Sequence, residues 1–184
     1  LLARLALHLA LERDLRVLVT AVSHAAIHQA LAEVVAVGRR CSVKLPRAAE
    51  LLADSVLKIG MSRGANEGLP DGVRPVFRVG PKKRPVIVGA TVYAASRLAA
   101  AGSQPFDAVL FDEAGQAPMT LALGARVLAP LALYIGDDAQ LPPVVELRED
   151  EDSNEGGSVL AHARSRYGAP FLLRETRRLN EELC

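Results

Sequence analysis

Acidic residues directly follow two apolar stretches of the chain. Asp112 and Glu113 come after the run at residues 108–111, and Gly136 and Asp137 come after a second apolar run. Runs of this kind are typical of buried parallel strands, whose carboxyl ends meet at one edge of a sheet. An Asp at that edge can hold Mg²⁺ through water, and an adjacent Glu can orient and deprotonate an attacking water. The spacing therefore favours a magnesium-nucleotide site.

Neither acidic segment is specific when taken alone. Asp112 and Glu113 could simply be carboxylates at the start of a helix, where the helix dipole favours them. The segment beginning at Gly136 could be an ordinary turn before the next helix. Gly-Asp-x-x-Gln-Leu-Pro-Pro at this separation from Asp-Glu-Ala-x-Gln is far more restrictive. In it, Gln140 can reach a phosphate as a neutral hydrogen-bond donor.

Composition limits the protein classes that need to be considered. The chain has 184 residues, 50% of them hydrophobic, which is enough for one domain with a sizeable core. The net charge is +1, so any nucleic-acid site must be local. Cys41 and Cys184 lie far apart, which argues against a zinc site or a disulfide framework and favours a reducing, cytoplasmic or nucleoid-associated location. No signal peptide or membrane-spanning segment is visible.

The order of apolar and amphipathic segments predicts an α/β fold with a parallel sheet covered by helices on both faces. Strands are predicted at residues 15–20, 86–90, 108–111, 131–135 and 171–173. Helices are predicted at residues 1–11, 23–37, 47–57, 93–101, 118–128 and 158–166. Gly38 is the expected C-cap of the second helix. Residues 61–84 are expected to form a loop or a reduced insertion, and residues 149–154 an acidic loop.

The segments beginning at Asp112 and Gly136 resemble the Walker B motif and motif III of superfamily 1 helicases. The nearest resemblance is to the branch that includes the nonsense-mediated-decay helicase and its bacterial relatives. Other segments resemble this family in the same order: motif Ia, the Val-x-Arg-Ile-Gly stretch, the strand ending in Ala-Thr, and motif IV, at residues 17–24, 56–60, 88–91 and 176–181. The resemblance implies a RecA-like P-loop NTPase fold, ATP and Mg²⁺ as cofactors, and single-stranded DNA or RNA as partner.

The resemblance also implies roles for four residues at the nucleotide. Asp112 would bind Mg²⁺ through water, and Glu113 would be the general base. Gln140 would sense the γ-phosphate and couple it to the nucleic-acid groove. Arg178 would contact the γ-phosphate, because a planar guanidinium suits a pair of phosphate oxygens. The alternative for Arg178 is a solvated charge at a helix start, and the adjacent Arg177 leaves the register open by one residue.

Ser23, His24 and Thr91 would line the nucleic-acid groove, mainly through contacts to phosphates. The alternative for Ser23 and Thr91 is helix N-capping, which both residue types favour. The chain departs from the family pattern here, because Val22 replaces a Pro and His24 replaces an Asn.

A G-x-x-x-x-G-K-[ST] loop is absent from the sequence. The resemblance indicates that residues 1–184 are part of the first RecA-like domain of a longer chain, with the P-loop segment before them and the second RecA-like domain after them. In the family the P-loop strand is a central strand. We therefore expect the strand ending at Asp112 to lack a neighbour, and the isolated segment to be marginally stable and inactive towards ATP.

The function predicted from the resemblance is that of an ATP-dependent DNA or RNA helicase, which couples hydrolysis to translocation on single-stranded nucleic acid. Two other classes stay open. One is a different P-loop enzyme, such as a small-molecule kinase, against which Gln140 and Arg178 argue. The other is a degenerate domain that binds nucleic acid or a partner without catalysis, against which the retained Asp112 and Glu113 argue.

Overall fold

Six strands form one all-parallel sheet in the computed structural model of this protein, in the order β3-β2-β4-β1-β5-β6. The structure describes residues 1–60, 63–80, 84–102, 105–137, 140, 157–168 and 170–173. The strands, β1 to β6 in chain order, are Arg16–Ala21, Val56–Ile59, Arg74–Val76, Val86–Thr91, Ala108–Phe111 and Leu131–Tyr134. The helices, α1 to α7, are Leu2–Arg13, His24–Ser42, Pro46–Asp54, Arg63–Asn66, Val92–Ala100, Met119–Arg126 and Val159–Tyr167.

Helices cover both faces of the sheet, as the sequence predicts. One apolar cluster packs α1, α2 and α3 against one face, and a second packs α5, α6 and α7 against the other. The inner strands β1, β2, β4 and β5 are buried along their whole length, which explains their continuous apolar sequences. The prediction of an α/β fold with a helix-covered parallel sheet is confirmed.

At β1 the connecting helices change from one face of the sheet to the other. The helix that follows β1 packs on one face, whereas the helices that follow its two neighbours, β4 and β5, pack on the other. Loops that leave adjacent strands towards opposite faces open a crevice at the carboxyl edge, which is where α/β sheets bind ligands. The carboxyl end of β1 is therefore the expected centre of a site.

Strand register gives the order of residues along this edge. Ala21 pairs with Thr91 of β4, and Thr20 pairs with Phe111 of β5. Asp112 continues the β5 ladder, because its N–H donates to the carbonyl oxygen of Thr20 at 2.8 Å. Thr91, Ala21 and Asp112 thus form one row across three adjacent strands, and Thr91 and Asp112 are roughly 10 Å apart.

The expectation that the strand ending at Asp112 lacks a neighbour is wrong. That strand, β5, pairs with β1 on one side and with β6 on the other. The partly exposed strands of the described sheet are instead the outermost ones, β3 and β6. Continuous burial of β5 follows from this central position.

The prediction that Gly38 caps α2 is wrong, because the helix continues to Ser42. Gly38 lies inside the helix, where a Cβ atom would come within 2.9 Å of a methyl carbon of Leu52 on α3. The glycine therefore allows α2 and α3 to pack closely. Tertiary packing, rather than the end of the helix, accounts for this residue.

The predicted helix at residues 47–57 is too long, because α3 ends at Asp54 and β2 begins at Val56. Residues 61–84, expected to form a loop or a reduced insertion, contain α4 and the edge strand β3. β3 has the sequence Arg-Pro-Val and is mostly exposed, so it carries no apolar pattern by which it could be found. A proline is tolerated in such a strand because the strand lies at the edge of the sheet.

Residues 171–173 do not form the predicted strand. They have no assigned secondary structure, and the side chains of Phe171, Leu172 and Leu173 are exposed. The acidic loop predicted at residues 149–154 lies outside the described residues. Within the described ranges, every helix is too short or too polar to cross a membrane.

A polar network fixes the opposite, amino edge of the sheet. Arg16 is buried, and its side chain donates to the carbonyl oxygens of Pro105 and of Gly80, the latter at 2.8 Å. A carboxylate oxygen of Asp107 accepts from the backbone N–H of Arg16 at 2.8 Å, and the other oxygen pairs with Arg84 at 2.9 Å. This network ties β1 to the start of β5 and to the segment before β4.

We expect Asp107→Ala to lower the free energy of unfolding by about 1–3 kcal/mol, because it leaves the buried N–H of Arg16 without this acceptor. Urea unfolding measures the change. Asp71→Ala removes a carboxylate from an exposed turn and should change stability by less than about 0.5 kcal/mol. Equal effects of the two substitutions would contradict a structural role for Asp107.

Candidate functional site

The turn after β5 holds Asp112 half-buried and Glu113 exposed at the carboxyl edge. Glu113 has a φ of 50°, in the left-handed region that non-glycine residues seldom occupy. Its carbonyl oxygen accepts from the N–H of Gln116 at 2.8 Å, which closes a tight turn. Backbone strain of this kind is concentrated at functional sites, and here it presents the Glu113 carboxylate to solvent.

Two neighbouring elements hold this turn in place. The N–H of Ala114 donates to the carbonyl oxygen of Ile135, just after β6, at 2.9 Å. The N–H of Leu160, in the first turn of α7, donates to the carbonyl oxygen of Ala114 at 3.3 Å. An isolated antiparallel bridge between Pro118 and Ser158 extends the contact with the start of α7. The acidic turn is therefore fixed from both sides.

Two glycines bring the turns after β5 and β6 into backbone contact. A Cβ atom on Gly115 would lie 2.5 Å from the carbonyl oxygen of Asp137. A Cβ atom on Gly136 would lie 2.9 Å from the backbone nitrogens of Ala114 and Gly115. Because backbone lines both contacts, no flexible side chain can yield to a larger residue. This is the physical reason for a glycine in each turn.

A side-chain hydrogen bond joins the same two turns. The side-chain amide nitrogen Nε2 of Gln116 donates to Oε1 of Gln140 at 3.0 Å. Asp137 is exposed in the turn after β6. Asp112 and Glu113 thus belong to the same surface at the carboxyl edge as Gln140, which is distant from them in the sequence.

The hydroxyls of Ser23 and Thr91 both cap helices. The Ser23 hydroxyl accepts from the N–H of Ala26 at 3.1 Å, and the Thr91 hydroxyl accepts from the N–H of Ala94 at 3.3 Å. Ser23 is exposed, whereas only 5% of Thr91 is exposed. The capping alternative is confirmed for both residues. Each hydroxyl can still donate its own hydrogen, so the nucleic-acid role stays a prediction.

His24 begins α2 beside the carboxyl end of β1 and is exposed. One turn further along the helix lies His28, and the two ring centroids are 6.4 Å apart. Partial burial lowers the pKa of each imidazole, and the charge of the buried Lys58 lowers each pKa further. A hydrogen bond to the backbone at Ala65 acts in the opposite direction on the pKa of His28. These three basic side chains form one group, which we call the His-Lys cluster (His24, His28 and Lys58).

In the described ranges, no group of three or more His, Cys, Asp and Glu side chains could hold a metal ion. Mg²⁺ bound with a nucleotide needs only one or two carboxylates, because phosphates and water supply the other oxygens. Asp112 fits that requirement by its carboxylate chemistry and its position at the carboxyl edge. Arg178 lies outside the described residues, so its predicted place at the γ-phosphate stays a prediction.

Sequence reasoning missed Lys58 and His28 as members of a site. The i, i+4 spacing of His24 and His28 was one available signal, since such residues share a helix face. A lysine inside the apolar run at residues 56–59 was another.

Comparison with known proteins assigns no family to the chain. No protein-family model matches it, and no curated protein matches it. The functional interpretation therefore depends on the site geometry and on the residues of the motifs themselves.

Proposed function

We propose that this chain is part of the first RecA-like motor domain of a superfamily 1 helicase, which couples ATP hydrolysis to translocation on single-stranded DNA or RNA. The observation that carries the proposal is the contact between the two acidic turns. The hydrogen bond from Gln116 to Gln140 and the close packing of Gly115 on Asp137 unite the two segments that resemble Walker B and motif III. Both turns lie at the carboxyl edge of a parallel sheet, where nucleotides bind.

The residues at this edge suit the steps of phosphoryl transfer to water. Asp112 would hold Mg²⁺ through water, and the ion would neutralise charge on the phosphates of ATP. Glu113 would orient the attacking water and accept its proton, which requires an ionised and accessible carboxylate. Its exposed position in a strained turn supports that role.

Gln140 has a defined orientation in this scheme. Its Oε1 accepts from Gln116, so its Nε2 amide group can donate to a γ-phosphate oxygen. Departure of the γ-phosphate after hydrolysis would remove this hydrogen bond. Movement of Gln140 would then shift Gln116 and, through the turn, Glu113. The hydrogen bond between the two glutamines therefore supports a coupling role for Gln140.

The other half of the same edge suits a nucleic-acid groove. Ser23 and His24 follow β1, which lies next to β5, and Thr91 ends β4 on the other side of β1. Contacts from hydroxyls and an imidazole address phosphates rather than bases, so binding should depend on salt and little on sequence. A P-loop segment, Arg178 and a second RecA-like domain of the full-length protein would complete the ATP site.

The test is the ATPase rate of the full-length protein, measured with and without single-stranded DNA or RNA at several salt concentrations. We expect strong stimulation by one of the two polymers, because the groove and the ATP site share one edge of the sheet. The polymer that stimulates hydrolysis is the track, the nucleic acid along which the protein moves. ATPase activity that is indifferent to both polymers would instead support another P-loop enzyme. Polymer binding without hydrolysis would support a non-catalytic binding domain.

A further inference from the structure

Lys58 is a buried cation without a counter-charge in the described part of the chain. Its side chain is fully buried in β2. The ammonium group donates to the carbonyl oxygen of Ala65 and lies 3.5 Å from Oδ1 of Asn66. Within the described ranges, no carboxylate comes within the 4.0 Å of an ion pair. Burial of an ammonium costs free energy unless a negative charge compensates it, and burial lowers the pKa of Lys58 accordingly.

Lys58 lies on the face of the sheet that α2 covers. It pairs with Gly89 of β4, so both residues face the same side of the sheet. At Gly89 the helix comes very close, because a Cβ atom there would lie 2.7 Å from side-chain carbons of Ile27 and Leu31. His28 directly follows Ile27 in the helix. Its ring nitrogen Nε2 lies 3.3 Å from the carbonyl oxygen of Ala65, which also accepts from Lys58.

The hydrogen bond to Ala65 leaves His28 one ring nitrogen for a ligand. When Nε2–H donates to the carbonyl, Nδ1 is the remaining polar atom. Nδ1 can donate to an anion only when the imidazole is protonated. An anion at this position would favour that protonated form and would also compensate the charge of Lys58. The buried lysine and the half-buried histidine thus both favour an anionic ligand.

We propose that the His-Lys cluster binds one backbone phosphate of the single-stranded nucleic acid, with His24 and His28 contacting the phosphate and Lys58 acting through its charge from beneath. The inference rests on the proposed function, since it assigns the cluster to the same groove. Its location supports the assignment: His24 is the first residue of α2 and directly follows Ser23, at the carboxyl end of β1. The positive end of the 19-residue helix α2 adds to the attraction.

The binding test uses Lys58→Met and His28→Gln in the full-length protein, with a fluorescently labelled oligonucleotide of the polymer that stimulates ATPase. We expect each substitution to weaken binding about tenfold, because a bound phosphate loses a nearby cation. The slope of log K against log salt should become shallower by about 0.7, the value for one phosphate of a single strand. Lys44→Met and His162→Gln are the matched controls, because both remove an exposed residue of the same type outside the cluster.

Thermal unfolding of the same variants separates binding from structure. Methionine fills the volume of the lysine side chain without a charge, so Lys58→Met should keep or raise the melting temperature while it weakens binding. If Lys58 only stabilised the fold, Lys58→Met would lower the melting temperature and leave binding unchanged. His28→Gln provides a second variant, because His28 is only half-buried and its loss should leave the fold intact.

A spectroscopic test uses protein labelled with ¹⁵N-histidine. Residues 1–184 contain four histidines. We expect the oligonucleotide to raise the pKa of His24 and His28, whereas the NMR signals of His8 and His162 should not respond to it and serve as internal controls. Inorganic phosphate is added in a parallel titration. A response to phosphate but not to the oligonucleotide would overturn the assignment of the cluster to the track.

The outcomes also separate this inference from the function on which it rests. If the wild-type protein binds the oligonucleotide and both variants bind equally well with the same salt slope, the inference is wrong and the proposed function stands. If the wild-type protein binds no single-stranded polymer, both are wrong.

Discussion

Glu113→Gln is expected to reduce nucleic-acid-stimulated ATP hydrolysis by about 10²–10⁴-fold in the full-length protein. Glutamine keeps the size of the side chain and can still hydrogen-bond a water molecule, but it cannot accept the water's proton. Glu113 is exposed and its carboxylate is not required to form the turn, so the fold should be unaffected. The turnover number under saturating ATP and polymer measures the loss.

ATP binding and polymer binding should both survive the substitution, since neither depends on proton transfer. Glu50→Gln is the control, because it neutralises an exposed carboxylate on α3, away from the carboxyl-edge turns. Turnover that is equal in wild-type and Glu113→Gln protein would remove the general-base role. It would also move the interpretation towards another P-loop enzyme or towards a non-catalytic domain.

The central strands were predictable from sequence and the edge strand β3 was not, for one physical reason. β1, β4 and β5 are buried on both faces, so almost every position must be apolar, and the runs are visible without any structure. β3 pairs on one side and is mostly exposed, so its sequence is free to be Arg-Pro-Val. Its existence depends on pairing with β2, which is information that no local pattern carries.

The candidate site divides in the same way. The two acidic turns follow apolar strands, so the sequence predicts that they lie at one edge of the sheet, and the hydrogen bond between Gln116 and Gln140 joins them there. The catalytic roles assigned to these residues stay predictions. Lys58 could not be assigned in advance, because its burial depends on how α2 and the segment at Ala65 cover β2.

Gly115→Ala is expected to separate the two acidic turns and to lower the free energy of unfolding by about 1–3 kcal/mol. The new methyl carbon would lie 2.5 Å from the carbonyl oxygen of Asp137, so the backbone of one turn must move. That movement would lengthen the hydrogen bond between Gln116 and Gln140. A displacement of about 1 Å among catalytic groups can reduce turnover by about 10²-fold. Urea unfolding and the stimulated ATPase rate measure the two effects.

Gly64→Ala is the matched control for this substitution. No heavy atom lies within 4 Å of a Cβ atom at that position in α4, so the change should be neutral or should stabilise the helix by a few tenths of a kcal/mol. Gly136→Ala should reproduce the effect of Gly115→Ala, because its methyl carbon would lie 2.9 Å from the backbone nitrogens of Ala114 and Gly115. If Gly115→Ala retains wild-type stability and turnover, the close contact between the two turns is not what positions Glu113 and Gln140, and the observation that carries the proposed function loses its force.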